Sequence, residues 1–166
     1  MTTQPALKVS ANLVSVPEGG RIHIVHVPVN PGREWQEAIA AASPNPRNDW
    51  EICKVGDHYP PQPGELKDEE IVLVNFGKTI PNVRYAIDWA KQYGLTPKGP
   101  RSVFAISEHR LQLHCELNAP SAAIVSPMPC IHGGCRKVSV IWQYCVWLGL
   151  FDGEFLGGCW FAFGRE

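Results

Sequence analysis

Four consecutive apolar residues, Ile71, Val72, Leu73 and Val74, decide the fold of this chain. An unbroken apolar run gives a strand two apolar faces, and such strands lie inside sheets that are covered on both sides. The run therefore predicts an interior strand. The chain around it has 166 residues, of which 45% are hydrophobic. We expect a single domain with its own core, because this length is close to the commonest domain size.

Two segments beside this strand have the periodicity of helices that pack one apolar face on a sheet. The spacing i, i+3, i+4 and i+7 occurs once after Asn30-Pro31 and again between Pro81 and Gly94. That spacing predicts an amphipathic helix. A third helical region is predicted over about residues 100–117. The residues of the two apolar faces are Trp35, Ala38, Ile39 and Ala42 in the first helix, and Val83, Ala86, Ile87 and Ala90 in the second.

Further strands are predicted over residues 21–29, 50–55, 121–126, 138–146 and 159–163. In residues 138–146 apolar and polar side chains alternate, which indicates one antiparallel strand with a wet face carrying Lys137, Ser139 and Gln143. The element order favours an α+β fold. We expect a mixed, largely antiparallel sheet of about five to six strands, with two to three helices packed mainly on one face. Residues 1–20 are predicted to be an N-terminal tail, and residues 21–166 the single domain.

Charge and apolar patterning exclude some classes of partner. The formal net charge is −1, so the chain has no overall basic field for nucleic acid, and we expect no strong nucleic-acid binding. The helices at residues 84–110, which carry several basic side chains, keep a nucleic-acid-associated protein open as an alternative. We expect no membrane association, since the apolar runs are too short to span a bilayer. Without a visible signal peptide, the protein is expected to be cytoplasmic, with its six cysteines reduced.

Several stretches resemble a group of short uncharacterised bacterial proteins. The resemblance covers most of residues 20–166 and implies a shared fold in a free-standing bacterial protein. It brings no activity, ligand or catalytic residue with it. The stretches are residues 54–61 (KVGDHYPP), 69–80 (EEIVLVNFGKTI), 86–95 (AIDWAKQYGL), 101–109 (RSVFAISEH) and 160–166 (WFAFGRE).

A short glycine-containing loop follows the central strand. Gly77-Lys78-Thr79 matches the end of a phosphate-binding loop, but the full motif needs a glycine at position 72, which is Val72. The loop is therefore predicted to be a glycine turn with a capping threonine rather than a nucleotide site.

The stretch from residue 130 to residue 135 places three metal-binding side chain types together. If Gly133-Gly134 form a two-residue turn, Cys130, His132 and Cys135 share one face of a hairpin. Structural zinc needs four such ligands in a closed tetrahedron, and only three can be placed here. We therefore expect no metal and no cofactor, with these three residues as the ligands if a metal binds.

The function predicted from the sequence is that of a small, non-catalytic protein that binds a small ligand or a protein partner. Trp147, Phe151 and Phe155 are the candidate contact surface, which a homodimer would also use, although they could instead close the end of the core. The alternative is a Cys/His-dependent or zinc-assisted hydrolase. Its candidate catalytic residues are His109, His114 and Cys115.

Overall fold

The computed structural model describes residues 7–9, 12–14, 16–43, 50–110, 112–117, 122–142 and 145–165. Within these residues the chain has mixed α and β structure, as predicted. The strands are β1 (Leu7–Val9), β2 (Asn12–Val14), β3 (Arg21–Val29), β4 (Lys67–Asn75), β5 (Leu95–Pro97), β6 (Ile124–Val125), β7 (Cys130–His132), β8 (Cys135–Trp142), β9 (Cys145–Leu150) and β10 (Trp160–Arg165). The helices are α1 (Trp35–Ala42), α2 (Val83–Lys91), α3 (Pro100–His109) and α4 (Leu113–Glu116), with 3-10 helices at Trp50–Lys54 and Gly56–His58.

Strand β4 is an interior strand, which confirms the prediction from its apolar run. It lies between β3 and β10 and is antiparallel to both. The sheet continues from β10 through β6 and β8 to β7, while β5 adds to β10 and β9 adds to β8. Among the described residues β10 and β6 are the one parallel pair. The sheet is therefore largely antiparallel, as expected.

Both faces of the sheet are covered. Successive side chains of β4 point to opposite sides, and each side packs into a core of its own. Ile71 and Leu73 belong to a first core, which also contains the apolar faces of α1 and α3. Val72 and Val74 belong to a second core, which contains the apolar face of α2. Three of the four described helices contribute to the first core and one to the second. The helix faces predicted by the i, i+3, i+4, i+7 spacing are thus the ones that pack on the sheet.

The sheet has more strands than the predicted five to six, since the described part contains eight in one sheet. Two of the additional strands, β5 and β7, are only three residues long. Such short strands are too brief to show a period of two in the sequence. They form because neighbouring strands offer them hydrogen-bond partners, which is a property of the assembled sheet.

The segment at residues 138–146 is two strands rather than the predicted one. Strand β8 ends at Trp142 and β9 returns antiparallel from Cys145, so that Trp142 pairs with Cys145. The prediction that this face is wet is also wrong at Ser139, which is completely buried. The first core covers it, since Ile141 on the same face is packed there. The predicted wet-face residue Gln143 lies outside the described residues.

Residues 50–55 do not form the predicted strand. Trp50–Lys54 is a 3-10 helix, and two of its carbonyl groups accept hydrogen bonds from side chains of α1. Trp35 Nε1 donates to the carbonyl of Ile52 over 2.7 Å, and Gln36 Nε2 donates to that of Cys53 over 3.0 Å. Because α1 satisfies these carbonyls, the segment needs no neighbouring strand to do so.

The predicted helical region at residues 100–117 is broken in two. Helix α3 ends at His109, and Arg110 has the non-helical angles φ −126° and ψ 57°. At 10 residues α3 is the longest helix among the described residues. None of the described helices combines the length and apolar character needed to cross a membrane.

Candidate functional site

A groove of about 320 Å³ opens at the N-terminus of α3. Ligand-binding clefts usually start at about 300 Å³, so the groove is large enough for a small molecule. Its lining comes from segments far apart in the chain, which only the folded sheet brings together. We call it the α3 groove; among its lining residues are Pro31, Tyr59, Glu69, Arg101, Ser102 and Met128.

Tyr59 forms one wall of the α3 groove and is fixed on both sides. Its ring stacks on Trp35 with centroids 5.3 Å apart and planes 14° apart. Its hydroxyl donates to the carbonyl of Met128 over 2.7 Å. Burial, together with the neighbouring Cys130 thiol, raises the pKa of Tyr59 above its usual range. The hydroxyl therefore stays protonated and acts as a fixed donor.

Arg101 joins α3 to the loop that carries Tyr59. Its Nε donates to the carbonyl of Arg33 over 2.8 Å, and its Nη1 donates to the carbonyl of Tyr59 over 2.6 Å. The guanidinium lies 5.7 Å from the centre of the Trp35 ring. The remaining nitrogen, Nη2, is buried and has no hydrogen-bond partner among the described residues. Desolvation by burial lowers the pKa of Arg101, although an arginine remains charged in a protein.

Glu69 lies at the base of the α3 groove with its carboxylate at the start of α3. Its Oε2 accepts hydrogen bonds from Ser102 Oγ over 2.9 Å and from Lys98 Nζ over 3.0 Å. Lys67 Nζ lies 3.9 Å from Oε1. A carboxylate at a helix N-terminus also interacts favourably with the helix dipole. Glu69 is thus held in place by α3 and by the residue before its N-cap.

The electrostatic balance at the α3 groove is positive. Arg101 and Glu69 line the groove with opposite charges. Lys67 and Lys98 add two positive charges beside Glu69, and Glu34 adds one negative charge near Arg101. The α3 N-terminus adds a partial positive charge. An anionic group in the groove would therefore be attracted.

Sequence reasoning did not identify the α3 groove. Tyr59, Glu69 and Arg101 lie in separate segments of the sequence, and none of them was among the predicted site residues. Their convergence follows from the pairing of β3 with β4 and the packing of α1 on α3, which no local pattern encodes.

The predicted catalytic residues His109, His114 and Cys115 are not joined by hydrogen bonds to one another in the described part of the chain. His109 lies at the end of α3, where its Nε2 is 3.5 Å from Glu108. The exposed Cys115 of α4 donates from Sγ to Gln112 Oε1 over 3.5 Å. The break at Arg110 places His109 on α3 and the other two residues on α4.

Helix α4 does carry an ion-pair network around Glu116. Glu116 accepts a hydrogen bond from Arg110, and its Oε2 lies 3.5 Å from His23 Nε2. That histidine nitrogen is buried and makes no hydrogen bond to any described residue. It is therefore within ion-pair distance of Glu116 but is not oriented to hydrogen-bond with it. The hydrogen bond from Arg110, then the charges of Arg110 and His23, lower the pKa of Glu116.

This network gives a prediction for acid unfolding. A carboxyl group whose pKa is lowered by folding stabilises the protein above its ordinary pKa, and this contribution is lost as the pH falls through the lowered value. Replacing Glu116 with Gln should therefore remove the loss of stability that protonation of Glu116 causes at acidic pH. The effect should stay below about 1 kcal/mol, because the pair is largely exposed. Urea unfolding of both proteins between neutral and strongly acidic pH measures it, and parallel stability profiles would contradict the prediction.

The predicted contact surface is only partly at the surface. Phe151 is completely buried, and the guanidinium carbons of Arg84 and Arg136 lie 5.6 Å and 4.4 Å from the centre of its ring. Phe155 is buried in the second core, and Trp147 is half-buried against it. Phe151 and Phe155 therefore close this end of the core, which was the alternative reading of these aromatics.

The hairpin predicted at residues 130–135 is present, with β7 and β8 joined at Gly133-Gly134. The three candidate ligands of this hairpin do not form a metal site. Cys130 is buried beside Tyr59, and burial raises the pKa of its thiol, whereas Cys135 is exposed. His132 instead binds Glu51 through Nε2. In the part of the chain that the structure describes, no three His, Cys, Asp or Glu side chains are arranged to hold a metal ion.

The α3 groove is therefore a cleft large enough to hold a ligand, and the hairpin carries a separate set of chemically active side chains. Comparison with known proteins gives no precedent for either. No protein family, curated protein or solved structure matches the chain.

Proposed function

We propose that this protein binds a small molecule with an apolar body and one acidic group in its α3 groove, and that no reaction takes place in that groove. The observation that carries the proposal is the state of the polar groups that form the groove. Glu69, Tyr59 and two nitrogens of Arg101 are already engaged in hydrogen bonds within the protein. Such groups hold a cleft in one shape, which suits binding more than chemistry.

The acidic group of the ligand is inferred from the charges. Arg101 lines the α3 groove together with Glu69. Lys67 and Lys98 lie beside the Glu69 carboxylate, and Glu34 acts on Arg101, so the local charge is positive by one unit. A carboxylate or phosphate on the ligand would offset this positive charge.

The apolar body is inferred from the walls. Pro31 and Pro100 line the α3 groove with the face of Tyr59, and Met128 lies at its mouth with 42% of its surface exposed. Methionine adapts its shape to different ligands. These walls would cover a short aliphatic chain or a single ring.

The experiment uses a set of small carboxylic acids that differ in the apolar part, screened by chemical-shift changes of backbone amides. Binding in the α3 groove should move the amides of residues 58, 59, 62, 99, 101 and 102 together, while those of β9 stay unchanged. Shift changes confined to another surface, or none with any acid, would contradict the proposal.

Substitution of Met128 tests the charge of the ligand. Two unit charges about 4 Å apart in water interact by about 1 kcal/mol, or roughly fivefold in affinity. Met128→Glu should therefore weaken binding of an acid about fivefold, and Met128→Lys should strengthen it by a similar factor. Leu156→Glu is the matched control, since Leu156 is 72% exposed and lies outside the groove. Equal affinities for the two Met128 variants would rule out an anionic ligand.

A further inference from the structure

The β7–β8 hairpin places a thiol directly opposite an imidazole. Gly133 and Gly134 have φ of +61° and +77°, which is the conformation of a tight two-residue turn. His132 is consequently paired with Cys135 in the register of the two strands. Directly opposed residues have Cβ atoms about 4.5–5.5 Å apart on the same face. The thiol of Cys135 and the imidazole of His132 therefore leave the hairpin on the same face.

A carboxylate from elsewhere in the chain fixes that imidazole. Glu51, in the 3-10 helix Trp50–Lys54 and 81 residues away, binds His132 Nε2. When Nε2 carries the proton that is donated to Glu51, Nδ1 is the basic nitrogen of the ring. Nδ1 is then the nitrogen that can accept the thiol proton. Thiol, imidazole and carboxylate follow one another in the order used by cysteine nucleophiles with an oriented base.

The thiol of Cys135 is also accessible, unlike that of Cys130 on the neighbouring strand. Cys135 is exposed and lines an open depression of about 400 Å³ together with Ile131 and Leu150. Of these two apolar side chains, Leu150 is 50% exposed and pairs with Lys137, on the same face of β8 as Cys135. It offers an apolar surface to a substrate beside the thiol. Cys130, by contrast, is buried against Tyr59.

We propose that Cys135, His132 and Glu51 form a second site, separate from the α3 groove, that transfers small acyl groups from esters to water. Cys135 Sγ attacks the ester carbonyl carbon while His132 Nδ1 takes the thiol proton. The C–O bond then breaks, and the imidazolium returns its proton to the departing alcohol. Water next adds to the thioester as His132 takes its proton, the C–S bond breaks, and the acid and the free thiol are regenerated. Glu51 is a positioning residue.

The test uses p-nitrophenyl acetate, with acid quenching and mass spectrometry to locate the acetyl group. Acetylation should occur first at Cys135. Cys135→Ser should abolish it, and His132→Asn should slow it about 10²-fold, the lower end of what a positioned general base supplies. Glu51→Gln keeps the size of the side chain and removes its charge, so it should slow acetylation if Glu51 orients a base. A purely structural Glu51 would leave that rate unchanged.

An internal comparison keeps the proposal testable even if a variant does not fold. Cys115 is an exposed thiol whose described partner is Gln112 rather than a histidine. In the unmodified protein Cys135 should be acetylated clearly faster than Cys115, and Cys115→Ser should leave the rate at Cys135 unchanged. Equal acetylation rates at the two cysteines, or a Cys135 rate that does not depend on His132 in a folded variant, would overturn the proposal.

Discussion

Replacing Arg101 with Met is expected to lower the free energy of unfolding by about 2–4 kcal/mol. Methionine keeps most of the apolar stem beside Trp35 but has no donor for the carbonyl groups of Arg33 and Tyr59. A buried acceptor left without its donor costs about 1–3 kcal/mol, and these two are partly buried. The α3 groove should lose its shape in the same variant, because Arg101 ties α3 to the loop of Tyr59.

Urea unfolding at neutral pH measures this effect. The free energy of unfolding of Arg101→Lys should lie between those of the unmodified protein and Arg101→Met, since one ammonium group cannot reproduce the fixed fork of a guanidinium. Arg110→Met is the matched control, because Arg110 forms a more exposed pair with Glu116 and such pairs contribute up to about 1 kcal/mol. A stability loss no larger for Arg101→Met than for Arg110→Met would show that the two carbonyl contacts contribute little.

Replacing Gly77 with Ala is expected to be still more damaging, by roughly 3–5 kcal/mol, at the upper end for single substitutions. Gly77 has φ +67°, and a Cβ there would lie 1.9 Å from the carbonyl oxygen of Gly19. The turn cannot move freely, because the Gly77 amide donates to Asn75 Oδ1 over 2.9 Å. The side-chain Nδ2 of Asn75 in turn donates to the carbonyls of Gly157 and Cys159.

Gly94 provides a control that separates strain from collision. Its φ of +68° is nearly the same, but a Cβ there would meet nothing within 4 Å. Gly94→Ala should therefore cost only the left-handed conformation, about 1–2 kcal/mol. Thermal and urea unfolding of the two variants give the difference. Equal stability losses for Gly77→Ala and Gly94→Ala would contradict the prediction, since the collision with the Gly19 carbonyl would then cost nothing.

Gly77 also explains why the loop after β4 resembles the end of a phosphate-binding loop. The predicted glycine turn is present, but the predicted capping role of Thr79 is not. Asn82 caps α2 instead, with its Oδ1 accepting from the Tyr85 amide over 2.9 Å. The sequence pattern correctly indicated a turn followed by a helix, and it misplaced the cap by three residues because Asn and Thr can both serve.

Local patterns in the sequence were enough to predict those parts of the fold whose signal is repeated along one element. Trp35, Ala38, Ile39 and Ala42 are all buried on α1, and the apolar run of β4 lies between two strands. The Gly133-Gly134 turn could also be predicted from local sequence. Its reason is different: only glycine adopts two successive left-handed conformations easily. Burial of a helix face or strand is dictated by its own spacing.

The tertiary structure alone decided which distant residues meet. Arg101 reaches Tyr59 across 42 residues, and His132 reaches Glu51 across 81. It also turned residues 50–54 into a 3-10 helix, since α1 side chains satisfy their carbonyls. Periodicity specifies which side of an element is buried, whereas a hydrogen bond between remote side chains depends on the order and register of strands. For that physical reason both the α3 groove and the Cys135 site became visible only in the folded chain.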